Sequence, residues 1–265
     1  MNSSDNGVVL LDISDRIATI TLNRPAARNA LNTEVLTLLP KLLTRADQSD
    51  DVDVIIITGT DPAFCAGLDL KELGGSATNL GAGSSADGSR NASGVRGPFP
   101  AINKPFIGAI NGVAVTGGLE LALNCDFLIA SEKARFGDTH ARVGVMPGWG
   151  LTVLLPQAIG VRRAREMSFT GNFLNANEAL RWGLVNRVVA HSDLMAQARQ
   201  VAEDIIGNDQ PGVRSIRGTY AEIHHDESGW ETESCNSVAW RKTMFSSANV
   251  AARREQIMSR GRSQD

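Results

Sequence analysis

Apolar positions divide the chain into short segments that alternate between strand and helix periodicity. Residues 8–13 and 16–22 alternate or run apolar around Ser14-Asp15, the pattern of a two-stranded hairpin. Leu36, Leu39 and Leu43 share one face of a helix predicted over 34–48, which Asn32 or Thr33 can N-cap. "DVDVIIITGT" (51–60) is a β-branched run closed by Gly59 and predicts a strand buried on both faces. Residues 105–110 read as a further strand, followed by a glycine-rich turn and a helix from about Gly117; "CDFLIAS" (125–131) is another short strand. Strands alternating with helices predict an α/β chain with a parallel core.

Two stretches break this rhythm. Residues 74–97 are rich in Gly, Ser and Asn and nearly free of large apolar side chains, which predicts a surface loop, either a lid over a site or plain unstructured chain. After Val189 the pattern is wholly helical, from about 192 to 260, with Trp230 and Trp240 as apolar anchors. The chain therefore divides into a core over 1–190 and a helical C-terminal subdomain over 191–265. Helices this polar are suited to packing on a neighbouring subunit. No internal repeat of fixed period is visible.

Composition narrows the function classes. The 265 residues are 42% hydrophobic and 21% charged, as in an ordinary soluble protein. A net charge of -3 without a Lys/Arg run excludes the electrostatic footprint of a nucleic-acid or membrane-surface binder. Cys65, Cys125 and Cys235 form no CxxC pair, so neither a disulfide framework nor a zinc cluster is indicated, and a reducing, cytoplasmic setting is expected. No secretory signal is seen, and no window approaches the about 20 apolar residues of a membrane span. None of His140, His191, His224 and His225 stands in a metal motif, and the His224-His225 pair reads as solvated helix surface. "GVAVTGG" has the spacing of a phosphate loop without its lysine, and neither GxGxxG nor GxSxG occurs.

Two stretches carry candidate chemistry. In "INGVAVTGGLELALNCD" (110–126), Gly117 and Gly118 fall in the first turn of a helix, whose opening amides lack intrahelical acceptors. Such amides suit a developing oxyanion. Glu120 follows on an otherwise apolar helix, where burial favours acid-base work. Alternatively, the glycines serve only close strand-helix packing and Glu120 only stabilises the helix start. "AFCAGLDLKEL" (63–73) also runs through Gly67 into a predicted helix start, making the Leu68 amide a second donor, or else a packing turn with Asp69 near the helix N-terminus.

"NRPAARNALN", "FCAGLDLKEL", "KPFIGAINGVAVTGGLELALNCDFLIAS" and "ARFGDTHARVGVMPGWG" together resemble the enoyl-CoA hydratase/isomerase (crotonase) superfamily, from about residue 8 to 189. The resemblance implies a spiral of ββα units with a helical C-terminal trimerisation region, assembled as a homotrimer or a hexamer built from two trimers. It implies an acyl-CoA thioester substrate and no separate cofactor, coenzyme A entering as part of the substrate. Carried over by position, the Leu68 and Gly117 amides hold the thioester oxygen. Ala66 and Leu70 meet the adenine and pantetheine end of CoA through their backbone, and Arg28 approaches its phosphates. The loop from Gly74 matches the segment bordering the acyl pocket.

Hydratases of this family use two glutamates. Glu120 matches the first, and His140 stands where the second is expected, with Asp138 in reserve. Trp149 occupies a position where the family commonly has a small residue, which implies a reshaped or shortened acyl pocket. The leading expectation is an enoyl-CoA hydratase in which Glu120 and His140 move protons. Because His140 replaces the second glutamate, the alternative is another crotonase-type reaction (isomerase, thioesterase, decarboxylase or C-C hydrolase), the more so if His140 points away and Glu120 acts alone. A non-catalytic CoA- or RNA-binding scaffold is the third reading, and the charge argues against RNA.

Overall fold

The computed structural model describes residues 7–80, 98–224 and 226–264. Strands β1 (Val9–Ser14) and β2 (Ile17–Leu22) pair antiparallel as the alternation predicts. Asp15 and Arg16 turn between them with φ of 52° and 63°. Two successive positive φ values make the turn whose twist matches that of the flanking strands. Helix α1 (Thr33–Gln48) starts where expected, with the Asn32 side chain accepting from the Val35 amide.

From β3 (Val54–Gly59) onward the chain repeats a strand-strand-helix unit. β3 is followed by β4 (Ala63–Cys65) and α2 (Leu70–Gly74). β5 (Phe106–Ile110) is followed by β6 (Val113–Val115) and α3 (Gly117–Leu123). β7 (Phe127–Ser131) is followed by β8 (Arg135–Gly137) and α4 (His140–Val143). The remaining elements are α5 (Leu151–Ile159), α6 (Val161–Thr170), β9 (Leu174–Asn175), α7 (Ala176–Trp182), β10 (Arg187–Val189), α8 (Leu194–Ile206), α9 (Gln210–Ile223), α10 (Glu227–Thr243) and α11 (Ser247–Arg262). The first strand of each unit joins a six-stranded sheet ordered β1-β2-β3-β5-β7-β10, and the second joins a four-stranded sheet ordered β4-β6-β8-β9. β2 through β10 run parallel in the large sheet, and β4, β6 and β8 run parallel in the small one. This is the spiral of ββα units. Its repeat has no fixed period because the first strands begin at Val54, Phe106 and Phe127, with an insertion inside the first unit.

β3 is buried on both faces, as its β-branched run predicts. Ile55 and Ile57 enter the core between the two sheets, while Val54 and Ile56 face α8 through Leu194, Ala198, Val201 and Ala202. α11 packs on α2, with Leu73, Val143, Val145, Val250 and Ile257 in one apolar cluster. The last helix of the chain thus walls the side of the small sheet that carries the candidate residues. Residues 81–97 of the Gly/Ser stretch and His225 lie outside the described residues. Among the described residues, no helix is long and apolar enough to cross a membrane.

Candidate active site

Because β4, β6 and β8 run parallel and adjacent, the turns that leave them emerge at the same edge of the small sheet. The carboxyl ends of parallel strands are where such folds assemble sites. These turns carry Ala66 to Asp69, Thr116 and Gly117, and Asp138 to His140.

The first turn corrects one expectation. Leu68 is not in the first turn of a helix: α2 begins at Leu70, and its opening amides at Lys71 and Glu72 are capped by the Asp69 side chain. The Leu68 amide is freed differently. Leu31 bridges this segment by donating to the Gly67 carbonyl and accepting from the Asp69 amide, which turns the intervening Leu68 amide away from Leu31. Among the described residues it meets no acceptor.

In the second turn, Thr116 adopts φ 55° and ψ −121°, a strained conformation for a β-branched residue, immediately before the Gly117 amide. Its hydroxyl is hydrogen-bonded to that of Thr139 in the third turn, joining the two. No side chain caps α3, and the Gly117 amide is likewise without an acceptor among the described residues. Close packing is part of the glycine requirement as well. A Cβ on Gly118 would lie 2.2 Å from the Cys65 carbonyl oxygen, and one on Gly117 would lie 2.7 Å from the Trp149 ring. The glycines of "TGGLE" thus serve close packing, and the same turn leaves the Gly117 amide without an acceptor among the described residues.

Glu120 is 2% exposed and held on both sides. Its Oε1 accepts from the Trp149 amide at 2.8 Å and the Gly148 amide at 3.3 Å. Its Oε2 lies 3.4 Å from His140 Nε2. His140 Nδ1 is 2.7 Å from Asp138 Oδ1, which also accepts from the His140 amide at 3.1 Å. Burial alone would pull the imidazolium pKa down. The charges and hydrogen bonds of Glu120 and Asp138 override it and hold His140 up at about 10. Burial pushes Asp138 up in turn, but hydrogen bonds from His140 and Ser168 win and keep it below the usual carboxylate range. At neutral pH, His140 is an imidazolium between two carboxylates.

Glu233 on α10 was not flagged by sequence. It is buried, and its carboxylate accepts from the Gly150 and Thr152 amides at 2.6 Å and from the Thr152 hydroxyl. Burial and the nearby Glu120 charge raise its pKa. The Gly148–Gly150 turn is thereby pinned by Glu233 on one side and offers its amides to Glu120 on the other. Asn124 steadies it by donating to the Trp149 carbonyl at 3.1 Å. The sequence signal for Glu233 was its placement in register with Ser237 and Arg241, four residues apart along one helix face.

Two cavities adjoin at these turns. The larger, about 190 Å³, is lined by Arg28, Ala66, Leu68, Leu70, Val145 and, from α11, Ile257, among others. The smaller, about 30 Å³, is lined by Leu68, Gly117, Glu120, His140, Val145 and Trp149, with Ser237 and Arg241 from α10. All seven residues singled out from sequence thus reach this edge of the sheet, and Leu68 borders both cavities. Trp149 is buried, edge-on to Phe99 at 6.0 Å, and occupies one wall of the small cavity. Burial pushes the Cys65 thiol up to about 12, far from a reactive thiolate. Among the described residues, no group of three His, Cys, Asp or Glu side chains is arranged to hold a metal ion.

The family model described as enoyl-CoA hydratase/isomerase matches residues 12–255. The chain is 40% identical over 214 residues to a probable peroxisomal enoyl-CoA hydratase 1 of Arabidopsis thaliana, covering 81% of this chain and 78% of that protein. It is 36% identical over 207 residues to a crotonyl-CoA hydratase of Syntrophomonas wolfei, covering 78% of each. A solved enoyl-CoA hydratase structure from Mycobacterium smegmatis matches with a TM-score of 0.79 at 50% identity, covering 90% of this chain and 100% of that one.

Proposed function

The chain belongs to the enoyl-CoA hydratase/isomerase family, and on that premise we propose that it hydrates the 2,3 double bond of an enoyl-CoA thioester. The observation that carries this reading is the small cavity, where Leu68, Gly117, Glu120 and His140 converge. At about 30 Å³ it has room for a water beside the reacting double bond.

Coenzyme A enters as part of the substrate along the larger cavity, where Arg28, Arg142 and Arg262 offer cations for its phosphates. No separate cofactor is required. The thioester oxygen accepts from the Leu68 and Gly117 amides. Glu120 Oε1 is engaged by two backbone amides, which leaves Oε2 to take a proton from water. The water oxygen bonds to C3, and the double-bond electrons move onto the thioester oxygen as an enolate, stabilised by the two amides. The His140 imidazolium delivers its proton to C2 as the enolate collapses. Glu120 then passes its proton across the 3.4 Å gap to His140 Nε2, which restores both groups. Asp138 positions the ring through Nδ1.

Incubation with crotonyl-CoA tests this reading: loss of the conjugated thioester absorbance with a mass gain of one water is expected, carrying heavy oxygen when run in labelled water. An unchanged substrate overturns it. The alternative, another crotonase-type reaction, is motivated by the histidine in place of a second glutamate; the 3.4 Å His140–Glu120 contact supports the two-group hydration reading over it.

The same reading includes assembly as a homotrimer or a hexamer of two trimers. Supporting it, α9 exposes an apolar stripe of Ile216, Tyr220 and Ile223, at 61%, 64% and 69%. Light scattering of the purified protein tests it, with a monomer as the overturning result.

A further inference from the structure

Arg241 lines the small cavity from α10 without a partner among the described residues. Among the described residues its guanidinium makes no hydrogen bond or ion pair, and its Nε is buried without an acceptor. The nearby carboxylates are committed elsewhere. Glu120 is held by the Gly148 and Trp149 amides and by His140. Glu233, two turns before Arg241 on the same helix face, is held at the start of α5. Ser237, between them, also lines this cavity, and no hydrogen bond from its hydroxyl occurs among the described residues.

The place of Arg241 relative to the thioester follows from the cavity walls. Leu68 and Val145 border both cavities, so the thioester lies at their junction. Arg241, Ser237 and Trp149 border only the smaller one, together with Glu120 and His140 and away from the cavity that takes coenzyme A, so the acyl tail extends toward them. A hydrocarbon tail there would leave the buried Nε unsatisfied, which is unfavourable. A carboxylate would meet the planar guanidinium fork with two parallel hydrogen bonds, a bidentate geometry that the fork matches. Trp149, packed edge-on against Phe99, closes one wall of this cavity and restricts the tail to a short one.

Resting on the hydratase reading, we propose that the preferred acyl group is short and ends in a carboxylate, which Arg241 binds with Ser237 as a supporting donor. Arg241 is then a specificity-determining residue, and the substrate class is the mono-CoA thioester of a short unsaturated dicarboxylic acid.

A matched pair of substrates tests this, glutaconyl-CoA against pent-2-enoyl-CoA, with the ratio of their kcat/KM values as readout. The wild-type ratio should favour glutaconyl-CoA, and Arg241→Met should lower that ratio by about 10²-fold, the order expected for removing one partner of a partly buried charge pair. Arg241→Lys should keep a substantial part of the preference and serves where the methionine variant fails to fold. Calorimetric binding of glutaryl-CoA against pentanoyl-CoA gives the same comparison without turnover. Equal wild-type affinity for the two, or an equal loss on both in Arg241→Met, overturns the proposal. If pent-2-enoyl-CoA is hydrated without any carboxylate preference, this inference fails and the hydratase reading stands. If glutaryl-CoA binds preferentially through Arg241 but no enoyl-CoA is hydrated, the hydratase reading fails and the carboxylate site stands.

Discussion

His140 and Glu120 face each other across 3.4 Å, Nε2 to Oε2, at the junction of the second and third ββα units. The Asp138 carboxylate on the far side of the ring makes His140 the middle of a buried three-group chain. A carboxylate-imidazolium pair thus stands where the resemblance led two glutamates to be expected, and its charges are of opposite sign rather than two like charges sharing one proton.

Glu120→Gln keeps the two hydrogen bonds from the Gly148 and Trp149 amides but cannot accept a proton. Hydration of crotonyl-CoA should fall by about 10²–10⁴-fold with little change in thermal stability. Retention of full activity would remove Glu120 from the chemistry.

His140→Ala should lower kcat by about 10². In the wild type, with the His140 pKa raised to about 10, the acid form persists through neutrality, so kcat should hold to alkaline pH and decline as pH passes about 10. Asp138→Asn removes one of the carboxylates that raise the imidazolium, and this alkaline limb should move to lower pH. A pH-rate profile measured for both proteins decides the matter.

The same shift makes a stability prediction. The folded pKa of His140 is raised above 6.5, so its contribution is fully present below 6.5 and is lost as pH rises through about 10. Urea denaturation across that window should show a decline in stability that is absent from His140→Gln.

Glu233→Ala leaves the Gly150 and Thr152 amides and the Thr152 hydroxyl without their buried acceptor. The expected cost is about 2–4 kcal/mol by urea denaturation, since each orphaned buried donor costs on the order of 1–3 kcal/mol. Because the pinned turn also supplies the amides that orient Glu120, kcat should fall more than KM changes. An unaltered kcat in a folded variant would limit Glu233 to stability.

Trp149→Ala removes a buried ring from the wall of the small cavity and from its contact with Phe99. Truncation of this size costs about 3–5 kcal/mol. The space released should shift the kcat/KM preference toward longer acyl chains, measured over a series of straight-chain 2-enoyl-CoAs. An unchanged chain-length profile would mean that Trp149 does not bound the acyl group.

Local pattern alone determined a good deal about this protein. The Asn32 cap, the two-faced apolar run of β3 and the break at "TGGLE" each depend on neighbours in sequence, through periodicity and turn chemistry. For the same reason Glu120, a single carboxylate in an apolar helix, stood out. Leu68 is the instructive case: its amide is free not because it opens a helix, as local pattern suggested, but because of a bridge to Leu31, a pairing across the fold that no local pattern encodes. Glu233 and Arg241 escaped notice because a charged residue on a polar helix looks solvated until the helix is docked. The sequence by itself thus settled β1, β2, α1, β3, β5, α3, β7, the helical tail and which residues were chemically unusual, while short elements such as β8, β9 and α4 carried too few residues to show a period. Only the tertiary structure decided which way His140 points, what holds Glu120, and that α10 brings to the cavity a guanidinium without a partner among the described residues. Orientation and desolvation are set by distant chain segments packed together, and those contacts exist only once the spiral has closed.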